Sequence, residues 1–429
     1  MLYERWLQIS RSFPREIAVR DLQSNRNWTF QELEKAAETP AGDSGTLAFP
    51  TGVTADFVLA VLRAWRAGQV ICPMESDQRI PEIKPGLPPE IVHLKMTSGT
   101  TATPRFVAFT ASQLMADAEN IVATMGLRPD WPNLSVISLA HSYGFSNLIL
   151  PLLLQGIPLI LAGAPLPEIV LRAAATAPDI TLAAVPALWR TWHDAGAIPR
   201  NARLAISAGA PLPVSLEQSI FAARGLKVHN FYGSSECGGI AYDASPGART
   251  EDSCAGAPMR NVNLSVAESG CLEVRSKAVG QTYWPEPSPA LSGGVFRTND
   301  LAEISYGLVY FRGRAGDQIN VAGRKVSPES IEKVLVAHPG VRECVIFGVP
   351  SSDAQRGDTI VACVSANTTV SGEALKQFLL AQLPAWQVPR EWWLVESLFA
   401  SSRGKLSRAE WRKRYLERPG SAGVPPARC

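Results

Sequence analysis

The sequence predicts an α/β protein, with layered helices and largely parallel strands over its first three quarters and a small α+β module after them. Three observations predict this. Helical and strand-like stretches alternate up to about Gly280. The texture then changes to turn residues, with Pro285, Pro287, Pro289 and the pair Gly293-Gly294. A second short series of strands and helices begins near Asp317. A chain of 429 residues is too long for one ordinary core and calls for two or three domains.

The elements follow in order. Residues 56–67 place Phe57, Val58, Val61, Leu62 and Trp65 at helical spacing, and Gly68 follows as a C-cap. Val70, Ile71 and Cys72 read as a short buried strand closed by Pro73. Residues 134–139, 180–185 and 203–207 are further apolar strands. The greasiest run, 148–161, is shorter than the roughly 20 residues that span a bilayer. Pro151, Gly156 and Pro158 break it, so it reads as a buried helix followed by a buried strand. Residues 302–305 and 308–311 flank Gly307 as a hairpin.

The later module reads as a strand at 318–321, a helix at 328–338, strands at 344–349 and 359–364, and a helix at 372–383. Ser327 and Ser371 precede the two helices as N-caps. The tail, 417–429, is rich in Pro, Gly and small residues and reads as disordered.

Composition narrows the function classes. Hydrophobic residues make up 46% and charged residues 19%, as in soluble globular proteins. A formal net charge of +2 is not the dense basic surface of a nucleic-acid binder. Seven cysteines form no CxxC pair and only five histidines accompany them, which argues against a zinc cluster or a disulfide framework. Met1 to Ser12 carries Glu4, Arg5 and Arg11 and lacks a signal-peptide core; with free thiols this suits a cytoplasmic enzyme.

Five strings carry chemistry. The first is Thr97-Ser98-Gly99-Thr100-Thr101-Ala102-Thr103-Pro104-Arg105, after the apolar segment 91–96. Its hydroxyls and backbone N–H groups suit an anion nest, and Arg105 suits phosphate charge. It is not the GxxxxGK[ST] loop. The second is Tyr232-Gly233-Ser234-Ser235-Glu236, where the ring suits stacking on a base and the carboxylate suits Mg²⁺. The third ends in Asp300, a carboxylate expected at a strand end and able to accept from two ribose hydroxyls. The fourth runs from Arg312-Gly313-Arg314 to the glycine loop at Gly323. The fifth is Gly404-Lys405-Leu406-Ser407-Arg408. Each string alone reads more often as a loop, a turn or a solvated charge.

Together and in this order, the strings resemble the core motifs of the adenylate-forming superfamily, most closely its acyl- and aryl-CoA synthetases. The resemblance runs from about Trp28 to Arg408, with Trp28-Thr29-Phe30-Gln31-Glu32-Leu33 and Ala64-Trp65-Arg66-Ala67-Gly68 also similar to family segments. It implies an N-terminal domain at 1–315 of layered α/β subdomains with a small β-barrel-like part. It also implies a mobile C-terminal α+β domain at 316–416 carrying Lys405. The implied reaction uses ATP and Mg²⁺ to make an acyl-adenylate, then transfers the acyl group to a thiol.

By resemblance, Thr97, Ser98, Gly99, Thr100, Thr101 and Arg105 hold the phosphates, and Gly209-Ala210-Pro211 lies beside the adenine opposite Tyr232. Gly233, Ser234 and Ser235 complete the nucleotide site, and Glu236 binds the metal. Asp300 and Arg314 hold ribose and phosphate, and Lys405 bridges the carboxylate and the α-phosphate; Lys405, Glu236 and Thr97 are the expected catalytic set. Gly323 lines the thiol tunnel.

His141, Tyr143, Gly144 and Gly238 form the expected acyl pocket, with Gly144, Gly233, Gly238 and Gly239 leaving space for a chain or ring. The alternative reading of His141 is a satisfied core histidine. No acidic residue occurs from His141 to Gly163, which disfavours an amino-acid substrate; a fatty or an aromatic acid fits. The expected acceptor is coenzyme A, with an acyl carrier protein acting in trans or a non-catalytic adenylate-binding role as alternatives.

Four departures stand out. Ala102 replaces a family glycine and Arg105 a lysine, Gly316 sits at the hinge position, and Asn299 precedes Asp300. Only about twenty residues separate Met74 from Thr97, so the N-terminal domain is trimmed there.

Overall fold

A computed structural model describes residues 1–39, 45–97, 105–351, 357–367, 370–398 and 407–418. The chain divides into two compact units. One comprises Met1–Thr298 and Glu303–Tyr310; the other takes Asn299–Ala302 and the chain from Phe311 onward.

Two sheets organise the first unit. In the larger, a parallel run passes through Ile17–Asp21, Leu159–Leu161, Asn133–Ser135, Ile180–Ala184, Ala202–Ser207 and Val228–Ser234. The strands are short, and the central ones, Leu159–Leu161, Asn133–Ser135 and Ile180–Ala184, are buried throughout. The helices Pro167–Ala174, Pro186–Asp194 and Val214–Arg224 bury Val170, Trp189, Trp192 and Ile220 in one cluster with Leu134, Leu182 and Val228. The indole N–H groups of Trp189 and Trp192 donate to the carbonyls of Ile206 and Pro165 at 3.2 and 2.8 Å, so these large rings are buried without an unpaired donor. Beyond Val228–Ser234 the sheet turns antiparallel, through Gly238–Tyr242 and Cys254–Pro258.

The second sheet orders Thr282–Trp284, Phe106–Thr110, Ile91–Met96, Val70–Ile71 and Leu47–Ala48. The stretch between Met74 and Thr97 runs through this sheet. Val70–Ile71 and Ile91–Met96 pair in parallel, a connection that usually runs through a helix. No helix forms between them. Pro81, Pro85, Pro88 and Pro89 bar one, and Ile83 and Leu87 of this irregular crossover pack on Cys72, Leu94 and Phe106 in its place.

The other unit is built on Val341–Pro350, Asp358–Ala366 and Glu391–Val395. Strand alternation divides its core. Ile346, Ala362 and Val364 face the helices Pro328–Val336 and Gly372–Leu380, while Val345, Phe347, Val361 and Cys363 face Trp411 of the helix Arg408–Leu416.

Several expectations shift. The helix Ala55–Ala67 ends at Gly68 with φ +69°, as expected. The 134–139 strand is only Asn133–Ser135, because the Ser138 hydroxyl accepts from the N–H groups of Ala140 and His141 and turns the chain. The 148–161 run is a helix and a strand, Leu150–Gln155 and Leu159–Leu161, but it follows a π-helical turn, Phe145–Ile149. Pro151 has no N–H for the Asn147 carbonyl, which accepts instead from Asn133 Nδ2 at 3.2 Å.

The 302–311 hairpin is longer than expected: Val295–Ser305 and Leu308–Arg314 meet at Tyr306 and Gly307, both at positive φ. Asp300 consequently lies inside a strand and not at its end. Ser327 does not cap its helix with its side chain, because its hydroxyl donates to Glu329. Ser371 does, accepting from the Ala374 N–H at 3.2 Å.

Candidate active site

The expected phosphate loop is closed at its base. Met96 and Phe106 face each other across antiparallel strands, and both the N–H and the hydroxyl of Thr97 donate to the Arg105 carbonyl, at 2.9 and 3.0 Å. Ser98, Gly99, Thr100, Thr101 and Ala102 lie outside the described residues. Arg105 stacks its guanidinium 3.6 Å from the centroid of the Tyr283 ring. The Tyr283 hydroxyl donates to Glu236 Oε1 at 3.1 Å. Burial and the adjacent Glu236 carboxylate push the phenol up, well above the ordinary tyrosine range, so it stays a donor. Tyr283 thus joins the arginine of the loop to the expected metal carboxylate. It arrives on Thr282–Trp284, which pairs with Phe106–Thr110. No motif marked it in the sequence.

Glu236 sits in the turn between Val228–Ser234 and Gly238–Tyr242. Ser234 Oγ accepts from its N–H at 3.2 Å, and its carbonyl accepts from Gly280 at 2.8 Å. The carboxylate is partly exposed, and its second oxygen has no hydrogen-bond partner among the described residues. That donor set fits Mg²⁺, a hard cation commonly held by one or two carboxylates together with substrate phosphates.

Parallel register aligns the expected adenine site. Ser207 pairs with Asn230, so Gly209, at φ +86° just past its strand, and Tyr232, still within Val228–Ser234, lie at the same level. Ala210 and Pro211 are exposed there. This is the carboxyl edge of the parallel strands, where α/β sheets bind ligands. Gly233 packs closely, since a Cβ would lie 2.7 Å from the Gly238 carbonyl oxygen.

The expected acyl segment meets this turn through Ser142 Oγ and Ser235 Oγ, 2.9 Å apart. Tyr143 is held by its hydroxyl, which donates to the Ile206 carbonyl at 3.3 Å, with its ring 6.0 Å from Phe231. The expectation that glycines leave room for substrate is corrected. A Cβ on Gly144 would lie 1.9 Å from the Ser138 carbonyl oxygen, one on Gly238 1.9 Å from Asp117 Oδ1, and one on Gly239 2.3 Å from Met259 Sδ. Protein atoms occupy those volumes, so the glycines let segments touch. His141 is not an isolated core histidine: its Nε2 lies 2.9 Å from Glu75 Oε1, and both side chains are partly exposed. Glu75 comes from the helix-free crossover, so a search confined to residues 141–163 could not find this carboxylate.

In the second unit, Arg314 Nε donates to Asp300 Oδ1 at 2.8 Å. Gly323, at φ +81° beside Ala322 at φ +51°, turns the Ile319–Val321/Arg324–Val326 hairpin, and a Cβ there would meet nothing within 4 Å. Gly316 lies in the 3₁₀ turn Ala315–Asp317. Lys405 lies outside the described residues. Three positions on, Arg408 donates to both oxygens of Glu332 at 3.0 Å and to the Ile346 carbonyl at 2.7 Å, and also pairs with Asp317 and Glu329. Among the described residues no helix is long and apolar enough to cross a membrane.

Known proteins agree in pattern. Residues 75–288 match the family described as AMP-binding enzyme, and residues 330–405 match the AMP-binding enzyme C-terminal domain. A feruloyl-CoA synthase from an Amycolatopsis species is 27% identical over 363 residues, covering 79% of this chain and 73% of the relative. A fatty acid–[acyl-carrier-protein] ligase, ScoC of Streptomyces coeruleorubidus, is 28% identical over 383 residues, covering 82% and 71%. In fold, the chain is similar to ATP-bound MatB from Rhodopseudomonas palustris, with a TM-score of 0.84 over 97% of this chain and 99% of that one at 20% identity.

Proposed function

The chain belongs to the AMP-binding enzyme family, and from that membership we propose that it activates a fatty or aromatic carboxylic acid as the acyl-adenylate and passes the acyl group to coenzyme A. The observation that carries this is the line from Arg105 through Tyr283 to Glu236. It ties a phosphate-loop arginine to a metal-binding carboxylate at the carboxyl edge of a parallel sheet.

In the first step a carboxylate oxygen of the acid attacks the α-phosphorus of ATP, and the bond to pyrophosphate breaks. Thr97 and the loop it opens hold the β- and γ-phosphates, with Arg105 supplying positive charge. Glu236 holds Mg²⁺, which when bound neutralises phosphate charge. Tyr232 and the Gly209-Ala210-Pro211 segment enclose the base, and Asp300 and Arg314 hold the ribose and phosphate. Lys405 supplies a cation between the carboxylate and the α-phosphate. Charge placed where it develops in the transition state lowers the barrier most.

In the second step the thiol sulfur attacks the acyl carbonyl carbon, AMP leaves, and the thiol proton is released. Gly323 is assigned by resemblance to the path of the pantetheine arm, and its open turn, with nothing within 4 Å of a Cβ, supports that assignment. Tyr143 and Phe231 offer aromatic walls to an apolar acid, and the feruloyl-CoA synthase relative supports an aromatic one. The ScoC relative supports a second reading, in which the acceptor is the phosphopantetheine thiol of a separate carrier protein.

The test supplies ATP, Mg²⁺ and a panel of fatty and aromatic acids, then CoA or a phosphopantetheinylated carrier protein, with the thioester identified by mass spectrometry. Thioester on CoA is the expected product. Thioester on the carrier alone establishes the second reading. Saturable ATP binding without turnover of any acid identifies a binding protein and overturns both.

A further inference from the structure

Directly behind the Glu236 turn lies a buried ionic chain. Lys95 Nζ donates to Ser146 Oγ at 3.1 Å, and Ser146 Oγ donates to Asp117 Oδ2 at 2.6 Å. Asp117 Oδ1 accepts from the Gly239 N–H at 3.2 Å. The lysine and aspartate side chains are each only 3% exposed, with Nζ 3.8 Å from Oδ2. Aromatic rings lie against the chain: Lys95 Nζ is 4.6 Å from the Phe109 centroid, and Phe145 packs tilted by 40° against the neighbouring His93 at 4.6 Å.

Stability alone gives no reason for this arrangement. Burying two charges costs several kcal/mol per ion, and a well-packed apolar pair is often as stable or more so. Of its three donors, the ammonium uses one in a hydrogen bond, to Ser146 Oγ, among the described residues. What the chain does is join segments that end at the site. Lys95 stands two residues before Thr97, and Ser146 four residues after Ser142, which meets Ser235. Gly239 stands three residues after Glu236. Gly238, at φ +67°, lies so close to Asp117 that no side chain fits between them, so the turn cannot move toward the helix Ala111–Met125. Burial lowers the Lys95 ammonium below its ordinary range; Asp117 and, more weakly, Glu236 oppose that, so the Glu236 carboxylate is within electrostatic reach.

We propose that Lys95, Ser146 and Asp117 are positioning residues for adenylation: they set the backbone at Gly238-Gly239 and, through it, the Glu236 carboxylate. The proposal rests on the reading of Glu236 as the residue that holds Mg²⁺.

The experiment uses the full chain and four variants: Ser146→Ala, Asp117→Asn, the double variant Lys95→Met/Asp117→Asn, and Glu236→Gln. Calorimetry measures binding of ATP with Mg²⁺ and of ATP with a chelator. Pyrophosphate release with a substrate acid gives kcat and the KM for the acid, and melting temperature reports folding. Ser146→Ala and Asp117→Asn are expected to weaken Mg²⁺-dependent ATP binding and lower kcat about tenfold each, the loss of one charged hydrogen bond, with metal-free ATP binding and the acid KM held within about twofold. The double variant keeps an amide acceptor for Gly239 and leaves no buried charge, and is expected to return Mg²⁺-dependent binding to within about twofold of wild type.

Wild-type Mg²⁺-dependent binding and kcat in folded Ser146→Ala, with only the melting temperature lowered, would overturn the proposal and leave the chain a structural feature. Unchanged Mg²⁺-dependent binding in Glu236→Gln would remove its premise instead. If Asp117→Asn does not fold, Ser146→Ala and the double variant decide the matter.

Discussion

Replacing Tyr283 by Phe removes one oxygen from the line between Arg105 and Glu236. The ring remains, and with it the guanidinium stack at 3.6 Å. What is lost is the 3.1 Å hydrogen bond to Glu236 Oε1. A hydrogen bond to a charged group contributes about 1.5–3 kcal/mol. Glu236 is partly exposed, so water replaces some of that, and the lower end applies: about 1–1.5 kcal/mol, or roughly five- to fifteenfold. The loss belongs in kcat/KM for MgATP, because the hydroxyl orients the carboxylate expected to hold the metal. Steady-state pyrophosphate release at varied MgATP and fixed acid measures it. The melting temperature is expected to move little, since the buried ring is kept. A Tyr283→Phe enzyme within about twofold of wild type in kcat/KM for MgATP would refute the reasoning, because it would leave the hydroxyl no part in holding Glu236.

Other substitutions test other parts of the account. Gly238→Ala combines a left-handed φ of +67° with a Cβ 1.9 Å from Asp117 Oδ1, so urea unfolding is expected to show a loss of about 2–4 kcal/mol. Lys405→Ala is expected to abolish acid-dependent pyrophosphate release yet retain thioester formation from supplied acyl-adenylate, and equal loss of both steps would remove its assigned role. Arg408→Met leaves the mostly buried Glu332, 20% exposed, without its main cation, at a cost of about 2–3 kcal/mol at neutral pH, below the range for a fully buried pair. Burial already raises the Glu332 carboxyl above its ordinary value and Arg408 opposes this, so the variant's native state binds the extra proton and its stability falls as pH rises. Thermal melts are expected to show the deficit shrinking as pH is lowered toward the ordinary glutamate range; a pH-independent deficit would contradict this.

Much of the fold was legible in the sequence because local signals and tertiary context agree there. Residues 56–67 form a helix ending at a left-handed Gly68, and the short apolar strands are buried in a parallel run. Legibility failed where distant residues decide. The strand expected to reach Leu139 stops at Ser135 because a serine hydroxyl competes for backbone N–H groups. Four glycines looked like room for substrate, but those volumes are taken by Ser138, Gly238, Asp117 and Met259, a contact no local pattern encodes. Tyr283 reaches Glu236 only because Thr282–Trp284 pairs with the strand leaving the phosphate loop. Glu75 meets His141 only because the crossover before Ile91 holds no helix. The site's ordered motifs could be read from the chain; the residues that tie them together come from pairings across the sheets.

The most direct test of the central claim is exchange of labelled pyrophosphate into ATP, measured with each acid in turn and without any thiol. Adenylation predicts exchange that requires both a particular acid and Mg²⁺, proceeds without CoA, and is lost in Lys405→Ala and Glu236→Gln. Saturable MgATP binding with no exchange for any acid would contradict it.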